Sequence, residues 1–181
     1  RTASVVEWLT ARFGAISFAR TQSALAGVRI AYADPARLGV DRFLALLAAR
    51  RRGAAPWLVV GVGTAVTVDL LDVTGRHHGG RIAPSPQLMR DALHAAAAQL
   101  PAQGGDYVEF AADTVDALAS GCDGAALGLI ERSLQQAQEA LGQRPSLLLH
   151  GGGAAALASR LGEGERAPAL VLEGLAVWAR L

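Results

Sequence analysis

Three consecutive segments between residues 57 and 83 have the pattern of β-strands joined by tight turns, and they constrain the fold more than any other part of the chain. Residues 57–62 are almost entirely apolar, as in a strand buried on both faces. Residues 65–73 alternate between polar and apolar side chains, and residues 76–83 follow after a Thr-Gly turn. The sequence therefore predicts an antiparallel β-meander.

Helical periodicity alternates with short apolar runs in the rest of the chain. A meander followed by such alternating units is typical of an α/β layer fold. Residues 53–56 have the composition of a linker and are the candidate boundary between two lobes. Helices are predicted at 4–13, 38–52, 86–100, 114–141, 154–161 and at the end of the chain, and further strands at 28–32, 107–110, 147–149 and 170–172.

The predicted helix at residues 114–141 contains three glycines, at positions 121, 124 and 128. Each glycine costs a helix roughly 1 kcal/mol relative to alanine, so a close backbone approach is expected there. A packed helix within the chain, a dimer face and a ligand wall all fit this spacing.

Composition excludes several classes of function. The chain has 17 basic residues, all of them arginine, and a formal net charge of +1 with 18% charged residues. That balance argues against a nucleic-acid partner, and the absence of lysine excludes both a P-loop lysine and a lysine Schiff base. Cys122 is the one cysteine, no apolar run is long enough for a membrane span, and the first residues do not resemble a signal peptide. We expect a soluble cytoplasmic protein.

Two glycine-rich turns are candidate phosphate sites. In the first, Gly63, Thr64 and Ala65 lie between two predicted strands, where backbone N–H groups can face an anion. In the second, Gly151 and Gly152 lie between a strand and a helix, whose amino end favours negative charge. A plain hairpin and a plain strand-to-helix turn are the structural alternatives.

The segment Gly39-Val40-Asp41-Arg42 opens a predicted helix and places a carboxylate beside a guanidinium. Such a carboxylate can accept a hydroxyl proton while the arginine binds an anionic substrate. A helix cap with a surface ion pair is the structural alternative.

Histidines do not form a metal site in this sequence. His77 and His78 are adjacent on a predicted strand, so their side chains diverge to opposite faces. No cysteine or acidic residue stands at ligand spacing from them. We predict no protein-bound metal, and a structural role for His94.

These segments form a series of short motifs in a specific order and spacing, which spans about residues 28–178. The series resembles type III pantothenate kinases, which share a family with the Bvg accessory factors. In sequence order the motifs are Tyr32-x-Asp-Pro-x-x-Leu-Gly39-Val-Asp41-Arg42, Val60-Gly-Val-Gly63-Thr64-Ala65-x-Thr67-x-Asp69, Gly75-x-x-x-Gly79-Gly80-x-Ile82-x-Pro84, Thr114-x-x-Ala-x-x-x-Gly121, Gly151-Gly152 and Leu170-Val-Leu-Glu-Gly174-Leu.

The resemblance implies the ribonuclease-H-like lobes of the acetate-and-sugar-kinase, chaperone and actin superfamily, with ATP in the cleft between them. Residues 1–53 would then be the incomplete remnant of the first lobe, carrying the substrate motif, and residues 54–181 the second lobe. The family's opening Asp-x-Gly-Asn-Thr phosphate loop has no counterpart in the sequence.

The resemblance also implies a reaction, the ATP-dependent phosphorylation of pantothenate in coenzyme A synthesis, carried out by a homodimer. Mg²⁺ and a monovalent cation, K⁺ or NH₄⁺, would assist it. By resemblance, Asp41 is the general base, and the pantothenate ligands are Tyr32, Gly39, Arg42 and Thr114. Thr114 would be supplied within the subunit or by the dimer partner. Gly63, Thr64 and Ala65 would face the phosphates, and Gly151 and Gly152 the adenosine.

Two positions depart from the family pattern. Gly61 stands where the family usually has the aspartate that serves the cation and phosphate region, and Ser85 stands where it usually has glycine. Gly61 and the absent phosphate loop favour an alternative function, that of a non-catalytic accessory or regulatory protein retaining the kinase fold. The intact Asp41-Arg42 motif and Thr114 favour the enzyme.

Overall fold

The structure, a computed structural model, describes residues 2–180, which form a mixed β-sheet between layers of helices. A short 3₁₀ helix, Pro35–Arg37, precedes the second α-helix and is capped by Asp34. In chain order the elements are α1 (Thr2–Thr10), β1 (Ala24–Leu25), β2 (Val28–Arg29), α2 (Val40–Arg52), β3 (Trp57–Val62), β4 (Ala65–Leu71), β5 (His77–Pro84), α3 (Pro86–Ala96), α4 (Thr114–Leu141), β6 (Ser146–His150), α5 (Ala154–Leu161), β7 (Glu165–Arg166) and α6 (Leu170–Trp178).

The main sheet has the strand order β5-β4-β3-β6-β7. Strands β3, β4 and β5 form the predicted meander, and β6 then pairs parallel to β3 with β7 parallel to β6. β4 is the one strand of these five that runs in the opposite direction. This is the topology of a ribonuclease-H-like lobe, so the predicted α/β fold class is confirmed.

Helices cover both faces of this sheet. Val59 and Leu148 point into a core formed with α2 and α6, while Leu58 and Leu149 point into a second core formed with α4 and α5. Since both faces are buried, β3 needs apolar residues at every position, which explains its unbroken apolar run.

The helices α2 and α6 cross at very short range on one face of the sheet. A Cβ atom added to Gly174 of α6 would overlap the backbone carbonyl of Leu44 in α2. The glycine therefore permits this crossing. The crossing holds α2, which carries the predicted substrate motif, against the sheet. The division of the chain at residues 53 and 54 stays a prediction. Helix α2, which precedes the linker, packs in one core with strands that follow it.

Two of the predicted strands are wrong. Residues 170–172 form the first turn of α6, where Leu170 is fully buried, and the fifth strand of the sheet is instead β7. A three-residue apolar run fits either a strand or a helix face, and the exposed Glu165–Arg166 pair carries no strand pattern. Residues 107–110 form no strand either, and β2 is shorter than predicted.

None of the helices described between residues 2 and 180 combines the length and the apolarity that crossing a membrane requires.

Replacing Gly174 with alanine should destabilise the protein. We expect a loss of about 1–3 kcal/mol in the free energy of unfolding, because the new methyl group must separate two packed helices. The matched control is Gly128→Ala in α4, where an added Cβ meets no atom within 4 Å. That variant should gain up to about 1 kcal/mol from helix propensity. Urea denaturation measures both, and equal effects would contradict the close approach.

Candidate functional site

The two glycine turns predicted to bind a nucleotide lie side by side. β3 and β6 are parallel neighbours, so their carboxyl ends reach the same edge of the sheet. There the N–H of Gly153 donates a hydrogen bond to the carbonyl oxygen of Val62 at 3.1 Å. Gly151 has φ +94° and packs so tightly on Val62 that a Cβ would overlap its backbone. Gly63 and Thr64 remain exposed at this edge, where the Gly63 N–H donates to the Ala65 carbonyl oxygen at 3.0 Å and closes the turn.

Asp41 lies in the first turn of α2 with its side chain exposed. The amino end of a helix stabilises a carboxylate at this position. A Cβ on Gly39 would lie 2.7 Å from Asp41 Oδ1, so the glycine leaves room for the carboxylate to fold back. The negative charge of Asp41 also acts to raise the pKa of His150, the residue directly before the second glycine turn. Arg42, the next residue, bonds Asp69, which pairs with Val59 of β3, so the candidate base lies near the strand that ends in the first glycine turn.

Arg42 points the opposite way, into the protein, and is 6% exposed. Its Nε donates to Asp69 Oδ2 at 2.8 Å and its Nη2 donates to Asp69 Oδ1 at 2.6 Å, which makes a bidentate ion pair. Burial acts to lower the pKa of Arg42, but the hydrogen bonds and charge of Asp69 more than offset it and raise that pKa. Burial likewise acts to raise the pKa of Asp69, and the bonds from His77 and Arg42 lower it instead.

His77 and Tyr32 complete this cluster. The backbone N–H of Ala31 donates to His77 Nδ1 at 3.4 Å, so the ring proton lies on Nε2 and is donated to Asp69 Oδ1 at 2.9 Å. Tyr32 stacks on His77 with 6.1 Å between ring centroids and 6° between planes. Arg42 Nη1 donates to the Tyr32 hydroxyl at 3.3 Å.

His150 occupies the space beside Gly61. The two residues are paired between β6 and β3, and a Cβ on Gly61 would lie 2.9 Å from His150 Nε2 and 2.8 Å from Thr67 Oγ1. Any side chain at position 61, an aspartate included, would therefore displace the imidazole. Burial lowers the pKa of His150, and the charges of Asp41 and Asp69 only partly oppose it, so the ring is neutral near pH 7.

The sequence-predicted residues fall into two groups, and Thr114 belongs to neither. Thr114 is the first residue of α4, and Val115 and Asp116 beside it contact residues 104 and 106. Ala117 and Leu118, which follow in the same helix, line a groove with Pro84 at the end of β5. The first group is Tyr32, Gly39, Asp41 and Arg42, and the second is Gly63, Thr64, Ala65, Gly151 and Gly152.

Sequence reasoning missed the roles of three residues, Asp69, His77 and His150. Asp69 carried a signal, since it is the one acidic residue among the apolar positions of β4. Its partner lies on a helix 27 residues earlier in the chain, which periodicity does not reveal.

Ser85, a departure from the family pattern, has a local explanation, because its side chain accepts a hydrogen bond from the Leu88 N–H and caps α3.

Metal ligands are not grouped in this site. Across residues 2–180, no three histidine, cysteine or acidic side chains are close enough together to hold a metal ion.

The arrangement defines a class of protein. A carboxylate at a helix start, an arginine fixed by a buried aspartate and two glycine turns at one sheet edge are features that suit positioning and charge stabilisation in phosphoryl transfer to a small molecule. The class is that of α/β small-molecule kinases.

Comparisons with known proteins identify the family. The family model described as type III pantothenate kinase matches residues 2–136. Relatives named type III pantothenate kinase from Stenotrophomonas maltophilia and Xanthomonas euvesicatoria pv. vesicatoria are each 62% identical over 178 residues, which is 98% of this chain and 73% of each relative. The chain belongs to the type III pantothenate kinase family, as its motifs predicted.

A solved structure shares the fold. The crystal structure of a protein assigned to the Baf family of transcriptional activators from Campylobacter jejuni superposes with a TM-score of 0.61 at 22% identity. The match covers 80% of this chain and 65% of that one. At this identity the likeness concerns the fold alone.

Acidification should destabilise the protein partly through His150. Its folded-state pKa lies below the ordinary value of 6.5, so its contribution to stability is complete above pH 6.5 and is lost as the pH falls below it. We expect His150→Gln to show a smaller drop in melting temperature between pH 7.5 and 5.5 than the wild type. His94→Gln is the control for loss of a histidine, and identical drops in His150→Gln and wild type would contradict the prediction.

Proposed function

We propose that the protein phosphorylates the primary hydroxyl of pantothenate with ATP, which gives 4′-phosphopantothenate, the first step of coenzyme A biosynthesis. Membership of the type III pantothenate kinase family supports this reaction. The observation that carries it is that Asp41 and Arg42 begin one helix, and that Arg42 bonds Asp69, whose partner Val59 belongs to the strand ending in the first glycine turn.

Arg42, Tyr32 and Gly39 would bind pantothenate. A guanidinium has five N–H groups, and the bonds to Asp69 and Tyr32 occupy three of those of Arg42. The two that remain suit the substrate carboxylate. The Tyr32 hydroxyl can add another hydrogen bond, and the backbone of Gly39 lies beside Asp41 to receive the other end of the molecule.

Asp41 would act as the general base. As its carboxylate accepts the hydroxyl proton, the hydroxyl oxygen bonds to the γ-phosphorus of ATP and the bond to the ADP oxygen breaks. Gly63, Thr64 and Ala65 would face the phosphates, where the Thr64 N–H is left to stabilise charge because that of Gly63 bonds the Ala65 carbonyl oxygen. Gly151 and Gly152 would lie against the adenosine because they have no side chains.

ATP would bring Mg²⁺ on its phosphate oxygens, which this ion prefers as ligands, and we assign no protein ligand to it. The monovalent cation that the resemblance implies does not fit as well. Position 61 offers no carboxylate, and the neutral His150 ring fills the space beside it. We therefore derive no step through K⁺ or NH₄⁺. We place the reaction in the cytoplasm, where ATP is available.

A second copy of the chain would complete the site as a homodimer. Among the described residues, Thr114 makes no hydrogen bond to Tyr32, Gly39, Asp41 or Arg42, which fits a partner subunit as the source of this pantothenate ligand. Helix α3 supports the proposal, because none of its residues is buried within one chain. Its apolar side chains Leu88 and Leu93 are 41% and 43% exposed. Together with α4 these side chains line an apolar groove that a second copy could cover.

Asp41→Asn should reduce kcat about 100-fold or more, since the amide cannot accept the hydroxyl proton. A coupled assay of ADP release with pantothenate and ATP measures it. Asp34→Asn is the matched control. The exposed Asp34 side chain accepts a hydrogen bond from the Ala36 N–H, and an asparagine there can accept the same bond. Background rates for both wild type and Asp41→Asn would contradict catalysis by this chain.

Mixing two inactive variants tests the origin of Thr114. If the residue acts across the dimer, Asp41→Asn and Thr114→Ala subunits should together form one intact site per mixed dimer, and about a quarter of the wild-type rate should return. If Thr114 acts within its own subunit, no activity returns. Sedimentation of each variant checks that dimers form, and a monomeric wild type would count against the proposal.

A further inference from the structure

Two buried residues that nothing so far connects with substrate binding, Asp69 and His77, lie directly behind the proposed pantothenate ligands. Asp69 is 2% exposed and His77 is fully buried. Neither can touch a substrate, so any role in the reaction must act through Arg42 and Tyr32. We propose that Asp69 and His77 are positioning residues that hold these two side chains in the orientation that binds pantothenate. This inference rests on the proposed function.

Asp69 determines which donors of Arg42 face the site. Its two carboxylate oxygens accept from Nε and Nη2, a geometry that fixes the plane of the guanidinium as well as its position. The N–H groups on the remaining edge of the planar guanidinium are left for the Tyr32 hydroxyl and a ligand. Without Asp69 the arginine would be a buried charge without a partner, and its side chain would turn toward water.

His77 joins the ion pair to the segment that carries Tyr32. One ring nitrogen donates to Asp69 and the other accepts from the Ala31 N–H, so a single imidazole fixes both the carboxylate and the backbone next to Tyr32. The face of the same ring stacks on Tyr32. Arg42 and Tyr32 are therefore held relative to each other through a shared support.

The cluster is closely packed against β5. A Cβ added to Gly80 on β5 would overlap Asp69 Oδ1 and would lie 2.7 Å from Arg42 Nη2. Buried ion pairs contribute little net stability, and their better-attested effect is to select one geometry. A cluster this closely packed behind two ligands is consistent with that role.

The experiment measures the KM for pantothenate and the KM for ATP separately in His77→Gln. The glutamine amide can donate to Asp69, but it cannot also accept from Ala31 and stack on Tyr32. We expect the pantothenate KM to rise about 10-fold or more, because a small displacement of positioned ligands is costly, while the ATP KM changes less than about 2-fold. His78→Gln is the matched control, since its imidazole bonds Asp72 outside the cluster, and its constants should equal those of the wild type.

A second variant, Asp69→Asn, and a double-mutant cycle of His77→Gln with Tyr32→Phe test the positioning role independently. Asp69→Asn, checked for folding by its melting temperature, should raise the pantothenate KM more than His77→Gln does. The effects of His77→Gln and Tyr32→Phe on that KM should be smaller together than their product, since both act on one ligand. Equal changes in both KM values, or a fall in melting temperature with unchanged KM values, would overturn the positioning role.

Failure of the proposed function would look different. A wild-type protein that binds pantothenate in calorimetry without phosphorylating it would overturn the kinase function, and the positioning role would then be decided by the pantothenate Kd of the same variants. A wild-type protein that neither binds nor phosphorylates pantothenate would overturn both.

Discussion

The buried pair of Arg42 and Asp69 joins the helix that carries the substrate motif to the sheet. Because a buried charge without a partner is strongly unfavourable, this pair fixes how α2 is rotated on the meander. Asp41 precedes Arg42 by one residue, which is about 100° around a helix of 3.6 residues per turn. Holding the arginine inward therefore holds the carboxylate outward, and one interaction sets the directions of both functional groups.

Much of the fold could be predicted because its strongest elements have strong patterns. The meander and the helices α4 and α5 follow the predicted ranges closely, since period-two and period-3.6 patterns extend over many residues. The error at residues 170–172 arises where the pattern is three residues long. There the segment packs as a helix against α2, which lies far away in sequence.

In the candidate site, too, the residues in local motifs could be predicted and those that depend on distant contacts could not. Asp41, Arg42 and the glycine turns belong to local motifs, so their chemistry could be predicted from neighbouring residues. Asp69 and His77 acquire their roles only when β4 and β5 bring them against α2. His150 could not be predicted because its significance depends on the register that places it opposite Gly61, where the absence of a side chain gives the imidazole its space.

The hydrogen bond between Gly153 and Val62 has a consequence for nucleotide recognition. It fastens one turn to the other, so the surface proposed to face ATP is formed before the nucleotide arrives. The proposed pantothenate ligands Arg42 and Tyr32 are likewise held in advance by Asp69 and His77. The entropy lost on binding would then fall mainly on the two substrates rather than on the protein.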